Sequence, residues 1–304
     1  MVRRGAIWAG VLVVLAAVGV VPPGNAVVEK AAATCSMDVG SVTAAGDHTY
    51  RRVTAGSPPT MVVVPGRVGT GIYSPGQVRL STTFVAEPDV GTFWHIVGWV
   101  VQGGALYRSG YSALNGQPTD PPLLTRIGGG WTDFKAVEEA EYDEVEHTQP
   151  VRTYEYGLRN DGLLVRWQNN NDVWRRNAGG VGFEAVKAMA LISKTRTYDT
   201  FLATTRGGGL YTIRISTAVP ADFTVTRVRS STWQAFETLL AVKCGVYGTL
   251  LLGIDMDTQS GYLYAVGHAN GLATVIQGLG KVQGTFPDPV NFRWRFDFDP
   301  LNGG

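Results

Sequence analysis

The sequence has few of the residues from which enzymes most often build a catalytic centre. It contains two cysteines and four histidines, and the histidines are far apart in the chain. None of them belongs to the His-Glu-x-x-His motif of metalloproteases. The chain also lacks the Gly-x-Ser-x-Gly turn of hydrolases, a Walker loop and a dinucleotide-binding fingerprint. The sequence therefore indicates no catalytic residue and no metal ligand of these kinds.

A strong charge of either sign is also missing. The chain has 26 basic and 25 acidic residues, and its formal net charge is +1. Proteins that bind nucleic acid or acidic membranes usually present a large basic field. The composition therefore argues against nucleic acid as a partner. With 17% charged and 44% hydrophobic residues, the chain is typical of a globular protein with a sizeable core.

Long hydrophobic runs are absent except at the N-terminus. Arg3 and Arg4 precede an apolar stretch over residues 6–21, and a basic segment followed by an apolar one is typical of a signal peptide. The stretch is shorter than the roughly 20 residues that a membrane-spanning helix needs. The alternative is an uncleaved membrane anchor.

The boundary of the mature protein follows from this N-terminal pattern. We predict a signal peptide over residues 1–33, with cleavage after Ala26 or after Ala33, and one domain over residues 34–304. The sequence after the signal peptide has no second hydrophobic span. We therefore expect a secreted protein without a transmembrane span, and a monomer.

Two short patterns recur about every fifty residues. One is a glycine that precedes an apolar or aromatic strand start, and its copies are Gly104, Gly162, Gly209 and Gly261. The other is a small residue before a large aromatic one, and the aromatic residues are Trp131, Phe183, Trp233 and Phe286. The aromatic copies are 52, 50 and 53 residues apart. A repeat of this length is typical of the blades of a β-propeller.

The segments between these landmarks have the pattern of β-strands. Residues 210–215 and 223–228 alternate apolar and polar side chains, which is the period of a half-buried strand. Clusters of Gly, Asn and Asp that favour hairpin turns separate such segments. Beyond the N-terminus, no segment has a sustained helical period of apolar residues. The sequence therefore predicts an all-β protein with little helix.

The number of blades follows from the chain length. After the signal peptide, units of about fifty residues give five blades, with six as the alternative. The last unit ends early, because residues 292–296 have the pattern of one strand and the chain then stops. An incomplete last blade would leave an unpaired strand edge. We therefore predict that a strand from the N-terminus closes the last blade.

The two cysteines are Cys35 and Cys244. In an oxidising compartment such a pair is expected to form a disulfide. The bridge would join the start of the mature chain to a strand of the fourth visible repeat, where a closing N-terminal strand has to lie. Two independent buried thiols are the alternative.

One repeat also has a family resemblance. Residues 127–137 contain Gly-Trp-x-x-Phe, a tyrosine-rich segment follows, and Gly-Leu-Leu-Val occupies residues 162–165. This order resembles the repeat of the tachylectin type of five-bladed propeller lectin, over about residues 100–296. The resemblance implies that pockets between adjacent blades bind N-acetylated amino sugars, without a cofactor and without catalysis.

The aromatic residues fall into two groups. Those that follow the period are predicted to pack between blades, namely Trp131, Phe183, Trp233 and Phe286. Those that do not follow it are better candidates for stacking on a sugar ring, namely Trp94, Trp99, Tyr111, Trp167 and Trp174.

The preferred binding segment combines aromatic and amide side chains over a few residues. An aromatic ring can stack on the apolar face of a pyranose while amides and carboxylates bond its hydroxyls. The predicted carbohydrate-binding residues are Trp167, Asn169, Asn170, Asp172 and Trp174. The alternative is a polar hairpin tip without a ligand.

A run of carboxylates precedes this segment. Its members are Glu138, Glu139, Glu141, Asp143, Glu144 and Glu146, and it ends at His147. We interpret it as a solvated insertion loop. Calcium binding and glycosidase carboxylates are the alternatives.

The sequence thus supports three functions. The first is a secreted propeller that binds a glycan or a cell-wall polysaccharide, with N-acetylated amino sugars as the expected ligands. The second is a secreted propeller glycoside hydrolase or lyase, and the third is a protein-interaction scaffold without catalysis. Enzymes of this shape usually collect acids from several blades, whereas the acids here crowd into one segment. This favours a binding protein over an enzyme.

Overall fold

The structure, a computed structural model, describes residues 35–64, 69–88, 93–115, 117–143, 151–170, 173–296 and 300–304. The predicted signal peptide and both cleavage positions lie outside these residues. So do Asp172 of the predicted binding segment and the last part of the acidic run, with Glu144, Glu146 and His147.

The described residues form β-strands and one short 3-10 helix, which confirms the all-β prediction. The helix is Gly271–Ala273. No helix in the described ranges is long and apolar enough to cross a membrane. The strands are β1 Ser36–Val42, β2 His48–Thr54, β3 Thr60–Val63, β4 Val78–Ser81, β5 Phe84–Pro88, β6 Phe93–Gln102, β7 Ala105–Leu114, β8 Gln117–Pro118, β9 Leu123–Gly129, β10 Phe134–Tyr142, β11 Arg152–Arg159, β12 Leu164–Asn170, β13 Val173–Gly180, β14 Val186–Lys194, β15 Tyr198–Thr205, β16 Leu210–Ser216, β17 Phe223–Arg229, β18 Thr238–Cys244, β19 Gly248–Asp255, β20 Ser260–Val266, β21 Ile276–Lys281 and β22 Val290–Arg295.

Consecutive strands pair into antiparallel sheets. Strands β10–β13 form sheet 2, β14–β17 form sheet 3 and β18–β21 form sheet 4, each with four strands. The other ten strands are connected as one sheet, in which β22 and β5 pair in parallel over two residues only. We call the part from β4 to β9 sheet 1, and the part made of β22, β1, β2 and β3 the terminal sheet. Several four-stranded antiparallel sheets in chain order are consistent with a β-propeller.

The first strands of the sheets lie around one axis. Strand β10 contacts β14, β14 contacts β18, β18 contacts β22, β22 contacts β4, and β4 contacts β10. These same strands line a cavity of about 200 Å³. Radial sheets whose first strands surround a central channel are typical of a propeller.

The two ends of the chain meet in the terminal sheet. Strand β1 pairs antiparallel with β22, from Val39 opposite Arg293 to Val42 opposite Val290. This pairing covers an edge of β22 that would otherwise be unpaired. The predicted disulfide is confirmed: Cys35 and Cys244 are bonded, with their Cα atoms 5.6 Å apart.

Hydrogen bonds explain why two landmarks recur with the same period. The backbone N–H of Trp131 donates to the carbonyl of Gly104, and that of Phe183 donates to the carbonyl of Gly162. The N–H of Trp233 donates in the same way to Gly208. In each case the aromatic residue that precedes the first strand of a sheet is bonded to a hairpin turn of the preceding sheet, namely the β6–β7, β11–β12 or β15–β16 turn. The aromatic side chains are buried, with Trp131 6%, Phe183 6%, Trp233 5% and Phe286 0% exposed.

A glycine in the second strand makes room for the aromatic residue in the Trp-x-x-Phe element. A Cβ atom at Gly157 would lie 2.6 Å from the ring of Phe134, and one at Gly253 would lie 2.7 Å from the ring of Phe236. Any larger residue at these positions would displace the ring. The close approach of ring to backbone therefore contributes to the packing between sheets.

The interpretation of the acidic run as a solvated loop is wrong for its first half. Glu138, Glu139 and Glu141 belong to strand β10, which lies in the ring around the axis. Because side chains alternate along a strand, Glu139 and Glu141 lie on one face of this strand and Glu138 lies on the other. All three residues are partly buried, whereas a solvated loop would leave them exposed.

Candidate functional site

The main candidate site is a cavity of about 330 Å³ between sheets 1 and 2, which we call the inner cavity. Its size lies at the lower end of the range for small-molecule pockets, about 300–1000 Å³. Sheet 1 contributes residues of β5, β6 and β7, sheet 2 contributes residues of β10, β11 and β12, and Arg295 comes from β22. A ligand in this position would contact two neighbouring sheets.

The face of sheet 2 that meets sheet 1 carries two rows of side chains, of which Glu139, Glu141, Thr153 and Asn169 line the cavity. Residues directly opposite each other in an antiparallel sheet point to the same face. The first row is Glu141, Thr153, Asn169 and Trp174. The second row is Glu139, Glu155 and Trp167. Strand register thus brings three carboxylates, an amide and two indoles onto one face.

The wall from sheet 1 is centred on Trp99. Its indole Nε1 donates a hydrogen bond to the carboxylate of Glu139. Its ring packs edge-on against Trp174, with ring centroids 4.9 Å apart. Trp99 therefore bridges both rows of sheet 2. Arg108 lies opposite Trp99 in the sheet, is exposed and also lines the cavity.

Several buried polar atoms of sheet 2 have no hydrogen-bond partner among the described residues. They include both carboxyl oxygens of Glu155, Oδ1 of Asn169 and Nε1 of Trp174. A buried polar group without a partner costs about 1–3 kcal/mol. Such groups are usually satisfied by ordered water or a ligand. Among these residues, Asn169 lines the inner cavity, where its Oδ1 can accept a hydrogen bond from a polar molecule.

Two carboxyl groups on this face of sheet 2 have raised pKa values. Burial raises the pKa of Glu139, and the charge of Glu141 raises it further. Burial raises the pKa of Glu155 well above its usual range, and Glu139 and Glu138 add to this effect. Glu141 is paired with Arg295, at 3.0 Å between Oε1 and the guanidinium. Carboxyl groups with raised pKa values thus lie beside an ion pair on this face of sheet 2.

Glu138 lies on the other face of β10 and points toward the axis. Burial raises its pKa from 4.5 to about 7, although Arg293 opposes the shift. Its side chain is half-buried and lines the cavity on the axis. The hydroxyl group of Thr83 donates a hydrogen bond to the Glu138 carboxyl group, at 3.4 Å between Oγ1 and Oε1.

This shift leads to a prediction about stability and pH. The folded protein binds the Glu138 proton more tightly than the unfolded chain does, so protonated Glu138 favours the folded state. This contribution to stability is complete below pH 4.5 and is lost as the pH rises through about 7. We expect the free energy of unfolding of the wild type to fall over this window relative to Glu138→Gln, by at most about 1.4 kcal/mol per pH unit. Urea unfolding of both proteins at several pH values measures the difference. Parallel pH profiles would show that Glu138 titrates normally.

The structure distributes the predicted carbohydrate-binding residues over different environments. Asn169 lines the inner cavity, and Trp174 contacts Trp99 in its wall. Trp167 packs on Trp131 with ring centroids 5.1 Å apart, so its ring belongs to the core between sheets 1 and 2. Asn170 is exposed at the end of the β12–β13 hairpin.

The remaining aromatic candidates also lie in different environments. Trp99 lines the inner cavity. Tyr111 is 4% exposed, and its hydroxyl is hydrogen-bonded to Nδ1 of His48 at 2.8 Å. Trp94 packs against Phe296, with ring centroids 5.5 Å apart. Of these three, only Trp99 is placed to contact a ligand in the inner cavity.

Sequence reasoning missed the charged residues of the site. Arg108 and Arg295 line the inner cavity but are not predicted from the sequence, because they lie on β7 and β22, which are far apart in the chain. One signal was present, since Glu139 and Glu141 are two residues apart and must share a strand face. The described part of the chain has no group of three or more His, Cys, Asp or Glu residues arranged to hold a metal ion.

Comparisons with known proteins give only distant likenesses. No protein-family model matches the chain, and no curated protein sequence matches it. Among solved structures, the chain is similar to the fucose-specific lectin from Aleuria aurantia, with 8% identity, a TM-score of 0.46, and coverage of 81% of this chain and 78% of that one.

Two further structures show the same degree of likeness. The catalytic domain of a GH62 alpha-L-arabinofuranosidase from Coprinopsis cinerea has 12% identity and a TM-score of 0.45, covering 73% of this chain and 74% of that one. AofleA from Arthrobotrys oligospora has 8% identity and a TM-score of 0.37, covering 84% and 92%. All three TM-scores are below 0.5. The fold is therefore described from the strand pairing of this chain, and its function is inferred from the cavity.

Proposed function

We propose that the protein is a secreted, carbohydrate-binding β-propeller that holds a sugar in the inner cavity. The observation that carries the proposal is the lining of this cavity, which combines indole, carboxylate, guanidinium and amide groups, and in which Oδ1 of Asn169 has no hydrogen-bond partner among the described residues. Sugar hydroxyls both donate and accept hydrogen bonds. Carboxylate and amide oxygens accept from them, while the guanidinium and indole N–H groups donate to them.

The proposal includes five blades. Sheets 1 to 4 and the terminal sheet each contribute one strand to the contacts around the axis. The pairing of β1 with β22 makes the N-terminal strands the outer part of the last blade. A sixth blade would need a sixth strand among those that contact one another around the axis. The inner cavity then lies between the blades formed by sheets 1 and 2.

Secretion is part of the same proposal. The N-terminal pattern supports a signal peptide over residues 1–33, and the disulfide between Cys35 and Cys244 supports an oxidising compartment. The mature protein is then residues 34–304, and its ligand is a glycan or polysaccharide outside the cell.

An N-acetylated amino sugar fits the chemistry of the site best. The carbonyl of an acetamido group can accept a hydrogen bond from a guanidinium N–H, and its methyl group can pack on an indole ring. The wall of the inner cavity offers the guanidinium of Arg108 as a donor and the ring of Trp99 as an apolar surface. This is the ligand class that the tachylectin type of lectin suggests.

Arg108 provides the test of this proposal. It is exposed in the cavity wall, so Arg108→Ala should remove a donor to the sugar without unfolding the protein. We expect N-acetylglucosamine to bind the wild type with a micromolar to millimolar Kd and to bind Arg108→Ala at least about tenfold more weakly, a loss of roughly 1.4 kcal/mol. Isothermal titration calorimetry measures both values.

Arg126→Ala is the matched control. Arg126 is an exposed arginine on β9 of the same sheet, and it does not line the inner cavity. It should bind as the wild type does. Equal affinities for all three proteins would place the sugar elsewhere, and a glycan array without any bound sugar would favour the protein-interaction scaffold.

One observation favours glycoside hydrolysis as a second candidate. Glycosidases use a protonated carboxyl group and a carboxylate on either side of the scissile bond. Glu139 has a raised pKa, while Glu141 is paired with Arg295 on the same strand face. Environments that separate two carboxyl groups in this way are typical of an acid and its partner. Release of new reducing ends from a bound oligosaccharide, lost in Glu139→Gln, would identify a hydrolase.

A further inference from the structure

A second cavity adjoins the inner cavity on the same face of sheet 1. This outer cavity has a volume of about 220 Å³ and is lined by β6, β7, β9 and the connection before β9. His95, Val97 and Arg108 line both cavities. The two cavities are therefore neighbours that share a wall, and Arg108 can reach a ligand in either.

A glycine keeps the face of sheet 1 open at the outer cavity. Gly110 lies opposite Val97 on β6 and opposite Leu123 on β9. A Cβ atom at this position would meet nothing closer than a backbone oxygen at 3.9 Å. The absent side chain therefore leaves free space on the sheet between the strands that line both cavities.

The outer cavity has the same mixture of groups as the inner one. Ser112, Asp120 and Thr125 supply hydroxyls and a carboxylate, and Leu123 supplies an apolar surface that is 69% exposed. Asp120 is exposed, and its one hydrogen bond in the described residues is from the neighbouring Thr119 hydroxyl at 3.3 Å. Its carboxylate thus remains accessible to a second sugar.

The two cavities extend across the strands rather than along one of them. Neighbouring strands are about 4.8 Å apart, so β6 and β9, with β7 between them, are about 10 Å apart. A ligand that fills both cavities must be elongated in this direction. A single sugar ring fills only one of them.

We propose that the natural ligand is an oligosaccharide with at least two linked sugar units. One unit occupies the inner cavity, the next occupies the outer cavity, and Arg108 contacts the linkage between them. This inference rests on the proposed carbohydrate binding by the inner cavity, and it assigns the ligand class as a chain rather than a single terminal sugar.

Chain length gives the test. The probes are N-acetylglucosamine and its β-1,4-linked dimer, trimer and tetramer, titrated into the wild-type protein by calorimetry. We expect the dimer to bind about tenfold to a hundredfold more tightly than the monosaccharide. The trimer and tetramer should add little, because two cavities are filled by two units.

Two variants locate the gain in affinity. Asp120→Ala should bind the monosaccharide as the wild type does and should lose most of the gain for the dimer. Asp222→Ala is the control, because Asp222 is an exposed residue in the corresponding connection before β17 of sheet 3 and lines neither cavity. Asp222→Ala should keep the full increase in affinity for the dimer over the monosaccharide.

The possible outcomes separate the two proposals. Equal affinity for the monosaccharide and the dimer would overturn the oligosaccharide proposal and leave carbohydrate binding intact. A gain for the dimer that survives in Asp120→Ala would also overturn it, because the second unit would then lie elsewhere. If no member of the series binds, both proposals fall.

Discussion

Removing the Cys35–Cys244 disulfide is expected to lower the free energy of unfolding by up to about 4–5 kcal/mol. The bridge connects residues 209 positions apart, so the oxidised unfolded chain contains a very long closed loop. Breaking it returns that conformational freedom to the unfolded state. The bridge also fastens the residue before β1 to the end of β18, beside the sheet in which β1 pairs with β22.

The double variant Cys35→Ser with Cys244→Ser tests this expectation by urea unfolding. The wild type in a reducing buffer is the control and should unfold at the same urea concentration as the variant. Mass mapping without reduction should recover the two cysteines in one linked peptide pair. An unchanged unfolding midpoint, or two alkylatable thiols in the purified protein, would contradict the stabilising role of the bridge.

Replacing Trp131 or Trp233 with alanine should lower the free energy of unfolding by about 3–5 kcal/mol. Both indoles are nearly buried, at 6% and 5% exposure. Trp131 packs on Phe134 with ring centroids 4.4 Å apart, and Trp233 packs on Tyr264 with centroids 4.7 Å apart. Alanine at either position would leave a cavity where two sheets meet.

Trp174→Ala is the matched comparison for these two variants. Trp174 is half-buried and packs on Trp99 in the cavity wall, so its loss should weaken sugar binding and cost less stability. A thermal melt and a sugar titration of each variant measure both effects. If Trp131→Ala and Trp233→Ala melt with the wild type, the periodic aromatic residues do not hold the sheets together.

The repeat could be predicted from the sequence because its two landmarks depend on each other. The backbone of Trp131 is bonded to Gly104, and the backbone of Phe183 is bonded to Gly162. Each pair is close enough in sequence for the pattern to be visible. The disulfide could be predicted for a similar reason, since only two cysteines exist to be joined.

The site could be predicted only in part. Asn169 and Trp174 were chosen for their residue types, but their proximity to Trp99 depends on how sheet 2 packs against sheet 1. Alternation shows that Glu139 and Glu141 share a face, yet not whether that face meets solvent or another sheet. The acidic run was therefore interpreted as a loop, although its first half is an inner strand. The contact between Arg295 and Glu141 joins parts of the chain that are far apart in sequence, so no local sequence pattern predicts it.

The central claim is that the inner cavity holds a sugar, and a crystal structure of the mature protein with the β-1,4-linked dimer of N-acetylglucosamine tests it most directly. We predict one sugar ring between sheets 1 and 2, within hydrogen-bond distance of Asn169 and Arg108, and the second ring in the outer cavity. Density for the dimer at another surface, with neither cavity occupied by a sugar, would contradict the claim.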